Sequence, residues 1–217
     1  MSFDFTFLEQ HWQTYLQGAW LTLQLSFFGV ILGTVLGVFM ALMRISRIWA
    51  LKALASTYIE LIRGTPMLVQ VFIIHYGLTG FGINLPAFIS GVVALTINSA
   101  AYMAEVFRAG IEAIDKGQAE AARSLGMTQG MTMRLIILPQ AFRNMLPAIG
   151  NEFIIIIKDS SLISAVGIAE LMFNARTVQG ITFRPMEPLL AAAALYFVMT
   201  FTLSKLLGAL EKRLRSR

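Results

Sequence analysis

The longest uncharged stretches of this sequence are long enough to cross a lipid bilayer as helices. No Asp, Glu, Lys or Arg occurs from Gly18 to Met43, a run of 26 residues. At about 1.5 Å of rise per residue, such a helix exceeds the roughly 30 Å hydrocarbon core of a membrane. A second uncharged run, from Gly64 to Ala104, is too long for one crossing, and its glycines and Pro86 favour two helices joined by a turn. The sequence therefore predicts an all-helical membrane protein.

Composition supports a membrane protein and excludes several kinds of site. Hydrophobic residues make up 57% of the chain and charged residues 13%, against about 25% charged residues in soluble domains. The chain has no cysteine, so it can form no disulfide, thiolate metal site or cysteine nucleophile. A net charge of +5 would suggest nucleic-acid binding in a soluble protein. Here the basic residues follow a membrane pattern, so we expect no nucleic-acid partner and no metal site.

Five membrane spans are predicted, and we expect them to form one membrane domain over residues 1–217. The fourth span is the least apolar, because it carries Arg143, Glu152 and two prolines. The spans are expected near residues 18–43, 53–78, 87–112, 136–157 and 188–204.

The distribution of lysine and arginine predicts which side of the membrane each loop occupies. Basic residues are concentrated after the first span, after the third span and in the tail, and cytoplasmic loops are the ones that carry such an excess. These residues are Arg44, Arg47, Lys52, Lys116, Arg123, Arg134, Lys212, Arg213, Arg215 and Arg217. The N-terminus is therefore predicted outside and the C-terminus inside. The loop at about 113–135 is then cytoplasmic.

That cytoplasmic loop has the residues of a short helix that can contact a partner. Asp115 can cap a helix that begins at the next residue, because its carboxylate can accept a hydrogen bond from the first turn. Ala121 and Ala122 are small, so a partner can approach the backbone closely. Gly126 stands where a left-handed residue would end the helix.

The spacing of this loop resembles the EAA loop of ABC importer permeases. It reads Glu120-Ala121-Ala122, then Gly126 after three intervening residues, then Ile136 and the Leu138-Pro139 pair at fixed offsets. In that family a separate ATPase binds this loop. The resemblance therefore implies that the ATPase-coupling residues are Glu120, Ala121, Ala122 and Gly126.

A second motif, Arg63-Gly64-Thr65-Pro66, lies in the second hydrophobic stretch and is similar to a signature of polar amino-acid permeases. Glu60 stands three residues earlier, and a charged pair at that spacing inside a span is expected to neutralise itself. Gly64 and Pro66 would break or kink the helix, which is tolerated where neighbouring groups satisfy the backbone. A structural kink and a role in the pathway both remain open for these residues.

The remaining polar groups predicted at membrane depth are Asn98, Glu152 and Asp159, which we expect to line a substrate pathway. Asn98 begins the Asn98–Tyr102 segment, which with Glu105 also resembles that permease subfamily. An amide at this depth needs a partner, which is either another helix or a substrate. Asp159 follows Lys158, so the two are either functional charges in the membrane or a pair that neutralises itself at the outer interface.

Taken together, these motifs resemble the histidine/glutamine/arginine-type permeases of bacterial amino-acid uptake over nearly the whole chain. The resemblance implies a type I ABC importer membrane domain in the bacterial cytoplasmic (inner) membrane, working by alternating access. It also implies three partners, namely a second permease subunit (identical or different), an ATPase and an external substrate-binding protein. The expected substrate is a polar or basic amino acid and not an acidic one.

The chain is not expected to be catalytic or to bind a cofactor, because no phosphate-binding Gly-x-x-x-x-Gly-Lys-Ser/Thr loop and no catalytic cluster occur in it. ATP and magnesium would be bound by the ATPase. The alternative is an ion-coupled secondary amino-acid transporter that works alone.

Overall fold

The computed structural model describes residues 3–215, with side chains to residue 213, and every regular element in this part is helical. Arg217 therefore lies outside the described residues, and only the backbone of Arg215 is described. The α-helices are α1 (Leu8–Arg44), α2 (Trp49–Arg63), α3 (Met67–Gly80), α4 (Ala87–Glu112), α5 (Lys116–Ser124), α6 (Gln129–Thr132), α7 (Leu138–Asp159), α8 (Leu171–Thr182) and α9 (Glu187–Arg215).

Helices α1 and α4 form the centre of the fold and contact each other along a row of glycines. The row repeats every fourth residue, so its members lie on one face of α1. A Cβ atom added at these glycines would come within 2.5–2.7 Å of a Cβ atom on α4, so only glycine permits the approach. The contacts pair Gly29 with Leu95, Gly33 with Ser99 and Gly37 with Met103.

These pairings also fix the directions of the long helices. The partner on α4 advances by four residues whenever the glycine on α1 does, so α1 and α4 run parallel. Helix α7 runs antiparallel to α4, and α9 runs antiparallel to α7, because the closest contacts move in opposite directions along each pair. Gly110 contacts Met145 and Ser99 contacts Glu152, while Gly150 contacts Leu207 and Lys158 lines the same cavity as Tyr196.

Between α1 and α4 the chain returns through a broken helix, as the Gly64–Pro66 motif predicts. Helices α2 and α3 meet at an angle of 109°. The amide side chain of Gln70 closes the break, donating to the carbonyl oxygens of Ile62 at 2.7 Å and Thr65 at 3.0 Å. These bonds satisfy carbonyl groups that the interrupted helix leaves without partners. Backbone groups inside a membrane need such partners, because no water is available there.

Helix α7 begins with an irregular turn and is lengthened at its far end. Residues 133–137 form a π-helical turn, and Pro139 lies in the first turn of α7, where a missing N–H is tolerated. The α-helix then continues to Asp159, two residues beyond the predicted end of the fourth span. A 3₁₀ segment, Ser160–Val166, follows and ends at Gly167, whose φ is +82°.

At the end of the molecule where α8 begins, a buried carboxylate connects three helices. The sequence did not single it out. Glu170 is fully buried and caps α8 by accepting a hydrogen bond from the Phe173 N–H at 2.8 Å. Its other oxygen accepts from Thr22 on α1 at 3.3 Å and from Tyr196 on α9 at 2.6 Å. One side chain therefore joins α1, α8 and α9. Helix α8 itself was not predicted, because it is short and mixed in polarity.

The segment before α1 is attached at this same end. Arg184, in the turn before α9, donates to the backbone and carboxylate of Asp4 and lies over the Phe7 ring at 5.5 Å. The guanidinium lowers the pKa of Asp4 to about 2, so the carboxylate stays ionised at any ordinary pH.

Three described helices are long and apolar enough to cross a membrane, namely α1, α4 and α9. The α2–α3 pair meets the same test only when its two bent halves are counted together. Helix α7 has the length but is not among them, since it carries charged and amide residues. The helix directions are those that five crossings require, and the count of five stays a prediction.

The glycine row gives a direct test of the α1–α4 contact. Gly37→Ala places a Cβ against the Met103 Cβ and within about 3 Å of backbone atoms of Ala100 and Ala104. We expect the free energy of unfolding to fall by about 1–3 kcal/mol, measured by thermal unfolding in detergent. Gly208→Ala on α9 is the matched control, because its Cβ meets nothing within 4 Å. Equal stability of the two variants would contradict the close approach.

Candidate functional site

The loop between α4 and α7 has the geometry predicted for its short helix. Asp115 accepts a hydrogen bond from the Gly117 N–H at 2.7 Å, so it caps α5 as expected. The helix ends at Gly126, whose φ of +82° lies in the left-handed region. The following Met127 N–H bonds back to the Ala122 carbonyl at 3.1 Å, which closes the helix end.

The side chains of this loop divide into an inner and an outer face. Ala122 is buried, and it packs α5 against the rest of the molecule. Glu120, Ala121 and Gly126 are exposed, and Glu120 forms no ion pair with any described residue. Leu125 adds a hydrophobic side chain that is 84% exposed. The outer face therefore offers a carboxylate, a small-residue surface and one apolar side chain to a partner.

Just before this loop, one carboxylate joins three helices. Glu105 on α4 pairs with Arg44 at the end of α1, with Arg63 at the end of α2 at 3.5 Å, and with Arg108 on its own helix at 2.9 Å. The Arg63 guanidinium also lies 5.6 Å from the centre of the Tyr102 ring. The ends of α1 and α2 are thus held to α4 two turns before α4 leads into the loop.

The expected Glu60–Arg63 pair is wrong. Arg63 turns toward Glu105 instead, because the end of α2 packs beside α4 and a more enclosed carboxylate is within its reach. Glu60 is exposed and has no ion-pair partner among the described residues. The sequence spacing identified two charges on one helix but could not show a competing acid on another.

Asn98 is buried against the break between α2 and α3. Its amide nitrogen donates to the side-chain oxygen of Gln70 at 2.9 Å, and Gln70 in turn holds the carbonyls at the break. Asn98 therefore has a helix partner, which is one of the two roles left open for it. Its contact with a substrate stays a prediction.

Glu152 lies in the interface between α7 and α4, on the side where Ser99 faces it. The residue is 5% exposed, and its Oε1 atom has no hydrogen-bond partner among the described residues. The Ser99 hydroxyl and the nearby Thr96 hydroxyl also lack one. A carboxylate oxygen and two hydroxyl groups without partners leave hydrogen-bonding capacity in this interface that a polar ligand or water can use.

Asp159 lies two turns beyond Glu152 on the same helix, at the junction with the 3₁₀ segment. It is partly buried, whereas the neighbouring Lys158 is exposed, and no ion pair of 4.0 Å or less joins the two side chains. The two side chains therefore form no close ion pair, and the choice between functional charges and a self-neutralising pair stays open. Glu152 and Asp159 lie along one edge of α7, while Glu60 and the Arg63–Pro66 motif lie on the broken helix.

A comparison with protein-family models identifies the class of protein. Residues 33–216 match the family described as binding-protein-dependent transport system inner membrane component. This chain belongs to that family. Its members are non-catalytic membrane subunits of ABC importers, whose partners include an ATPase and a substrate-binding protein.

Individual relatives cover the whole length of the chain. The arginine transport system permease protein ArtQ of Bacillus subtilis (strain 168) is 38% identical over 100% of this chain and 99% of its own length. The octopine transport system permease protein OccM of Rhizobium radiobacter is 41% identical over 97% of this chain and 90% of its own length.

Solved structures agree with the fold. A crystal structure described as an amino acid ABC transporter with histidines is 52% identical and has a TM-score of 0.94, covering 98% of this chain and 100% of the other. An inward-facing structure of the MetNI methionine ABC transporter, at 21% identity and a TM-score of 0.77, shares the fold. The fold is therefore that of a type I ABC importer membrane domain, embedded in the inner membrane as a multi-pass permease.

Several residues that organise the site were missed by the sequence reading. Gln70 and Glu170 are polar residues in or beside apolar runs, and that unusual setting was the signal that could have found them. The glycine repeat on α1 is a small-residue spacing of four, which is typical of close helix contacts in membranes. The partners of Glu105 could not be found in this way, because they come from helices far apart in sequence.

The three-arginine cluster predicts an unequal response of two nearby acids. Glu105→Gln leaves three guanidinium groups around a neutral amide, so we expect a loss of about 1.5–3 kcal/mol of stability. Glu112→Gln is the control, because Glu112 is more exposed and pairs only with Arg108. That change should cost less than about 1 kcal/mol. Thermal unfolding in detergent measures both, and a larger effect at Glu112 would contradict the analysis.

Proposed function

We infer that this chain is the permease subunit of a bacterial ABC importer for polar amino acids. The observation that carries the proposal is the loop at 113–135, a capped and exposed helix with a left-handed glycine at its end. Glu120, Ala121, Ala122 and Gly126 are proposed to bind an ATPase, which holds the ATP and magnesium. The chain, one domain over residues 1–217, supplies no cofactor site of its own.

The substrate class follows from the relatives and from the charges on α7. Relatives are named for arginine, octopine and glutamine transport, and all three compounds carry an ammonium group beside a carboxylate. Glu152 and Asp159 are carboxylates at membrane depth, and no described cation lies within 4.0 Å of either one. A transported cation is a natural counter-charge for them. This reasoning favours a polar or basic amino acid.

The mechanism proposed is alternating access, driven from the cytoplasmic loop. Closure of two ATPases would move α5 of each permease subunit, and α4 and α7 would move with it because they flank the loop directly. The cluster around Glu105 would pass that motion to α1 and to the Arg63–Pro66 break. Substrate released by an external binding protein would then reach Asp159 first, at the outer end of α7, and afterwards Glu152 and Asn98.

The orientation proposed is N-terminus outside and C-terminus in the cytoplasm. The basic residues that follow α1 and precede α7 support it, because they cluster at one end of parallel helices α1 and α4. A second permease subunit, identical or different, completes the pathway. An ion-coupled transporter working alone is not favoured, since it would have no use for the exposed loop helix.

Binding of the ATPase can be tested at the end of α5. Gly126→Val forces a β-branched residue into the left-handed region, so the end of α5 should unravel and the complex with the ATPase should dissociate. Co-purification of the ATPase and amino-acid uptake in proteoliposomes should both be lost. Gly130→Val is the matched control, because Gly130 has no positive φ and open space around it. Normal assembly by the Gly126 variant would overturn the assigned role.

The substrate role of Asp159 has a separate test. Asp159→Asn keeps the size of the side chain but removes its charge, so uptake of arginine should weaken by about tenfold or more, the equivalent of one lost charged hydrogen bond. Assembly with the ATPase should be unchanged. Glu187→Asn is the control for the loss of an acidic side chain at this end of the molecule, because Glu187 lies at the start of α9. Wild-type uptake of every polar amino acid tested would make Asp159 structural only.

A further inference from the structure

The exposed faces of the long helices differ sharply in chemistry. On α1, every exposed residue between 20 and 42 is apolar. On α9 the exposed side chains between residues 190 and 201 are likewise apolar, including Phe197, Val198 and Phe201. Such faces suit contact with lipid tails. From Arg143 onward, by contrast, α7 exposes no large apolar side chain.

Four of the exposed residues of α7 form a polar stripe, defined by Gln140, Asn144, Asn151 and Lys158. Their spacings of four, seven and seven residues place all four within about 40° of one another around the helix. The stripe runs for about 27 Å along the axis, which is most of the thickness of a hydrocarbon core. A repeat of this kind is a face of the helix and not a single chance polar residue.

The polar groups of the stripe are largely unused within the described chain. Gln140 donates to the Ile136 carbonyl at 2.8 Å, which satisfies a group in the π-helical turn. The side chains of Asn144 and Asn151 make no hydrogen bond with any other described residue, and Lys158 makes no ion pair with one. Amide groups in lipid would lose their hydrogen bonds to water without replacement, so this face requires water or a polar partner.

We propose that the polar stripe of α7 borders a water-filled pathway closed by a second permease subunit, and that Asn144 and Asn151 hydrogen-bond to the transported amino acid. An amide offers both a donor and an acceptor, so it can bind the carboxylate and the ammonium group that every such substrate carries. Lys158 lies at the far end of the stripe, where its charge attracts the carboxylate. The substrate part of this proposal rests on the proposed function.

The stripe extends the site formed by the buried acids on the same helix. Glu152 directly follows Asn151, and Asp159 directly follows Lys158, so each acid lies about 100° around the helix from a stripe residue. Glu152 faces α4, whereas the stripe residues are exposed, and Lys158 at the end of the stripe lines a cavity beside α8 and α9. A substrate moving along α7 would therefore have amides on the open side and carboxylates at its edge.

The absence of cysteine in the natural sequence makes the proposal directly testable. Single variants Asn144→Cys and Asn151→Cys are assembled with the ATPase in proteoliposomes and treated with a charged, water-soluble thiol reagent. We expect both to react at least tenfold faster than Val35→Cys and Phe201→Cys, which lie on the apolar faces of α1 and α9. Arginine or glutamine should slow the reaction at positions 144 and 151 alone.

Each result decides one part of the proposal. Reaction at positions 144 and 151 no faster than at 35 and 201 overturns the water-filled pathway, and a disulfide between copies without any labelling shows a dry interface instead. Rapid labelling that no amino acid slows overturns the substrate contact while the pathway stands. Uptake by the cysteine-free protein is measured in parallel, so a failure of the proposed function is seen separately from a failure of the stripe.

Discussion

The close contact between α1 and α4 is the constraint on which the other elements depend. Three glycines on one face of α1 let two backbones approach until their Cβ positions would overlap, and this fixes the helices as a parallel pair. Parallel neighbours need an intervening segment that runs the other way. That requirement places the α2–α3 segment across the same side, where Gln70 and Asn98 stabilise its break. Packing of small residues therefore determines where the buried polar network can form.

Different interactions hold the two ends of the α1–α4 pair. Glu170 at one end is fully buried, and neutral hydroxyl and backbone groups satisfy it. Glu105 at the other end is held by three guanidinium groups and is partly open to solvent. An ion cluster near solvent can rearrange at lower cost than a buried hydrogen-bond network. The end that joins the loop at 113–135 is thus the one whose contacts can rearrange more readily.

Much of this architecture could be predicted because backbone and charged groups inside a membrane have few stable arrangements. The bounds of α4, the cap at Asp115, the left-handed Gly126 and the break at Gly64–Pro66 all follow from local rules about charge, caps and backbone freedom, and the structure confirms them. The pairing of Arg63 could not be predicted, because Glu60 is the acid near it in sequence and only packing brings Glu105 within reach. Helix α8 was missed for the same reason, since its stability comes from Glu170 and its neighbours.

Helix α7 shows why a weak hydropathy signal can be the informative one. A helix that touches lipid on its exposed side must be apolar there, and α1 and α9 meet that condition. Helix α7 does not, yet it packs between α4 and α9, which are apolar enough to span. A polar helix in that position is stable only if its exposed side never meets lipid tails. In the proposed complex, a second subunit and a polar substrate would contact its amides and carboxylates there.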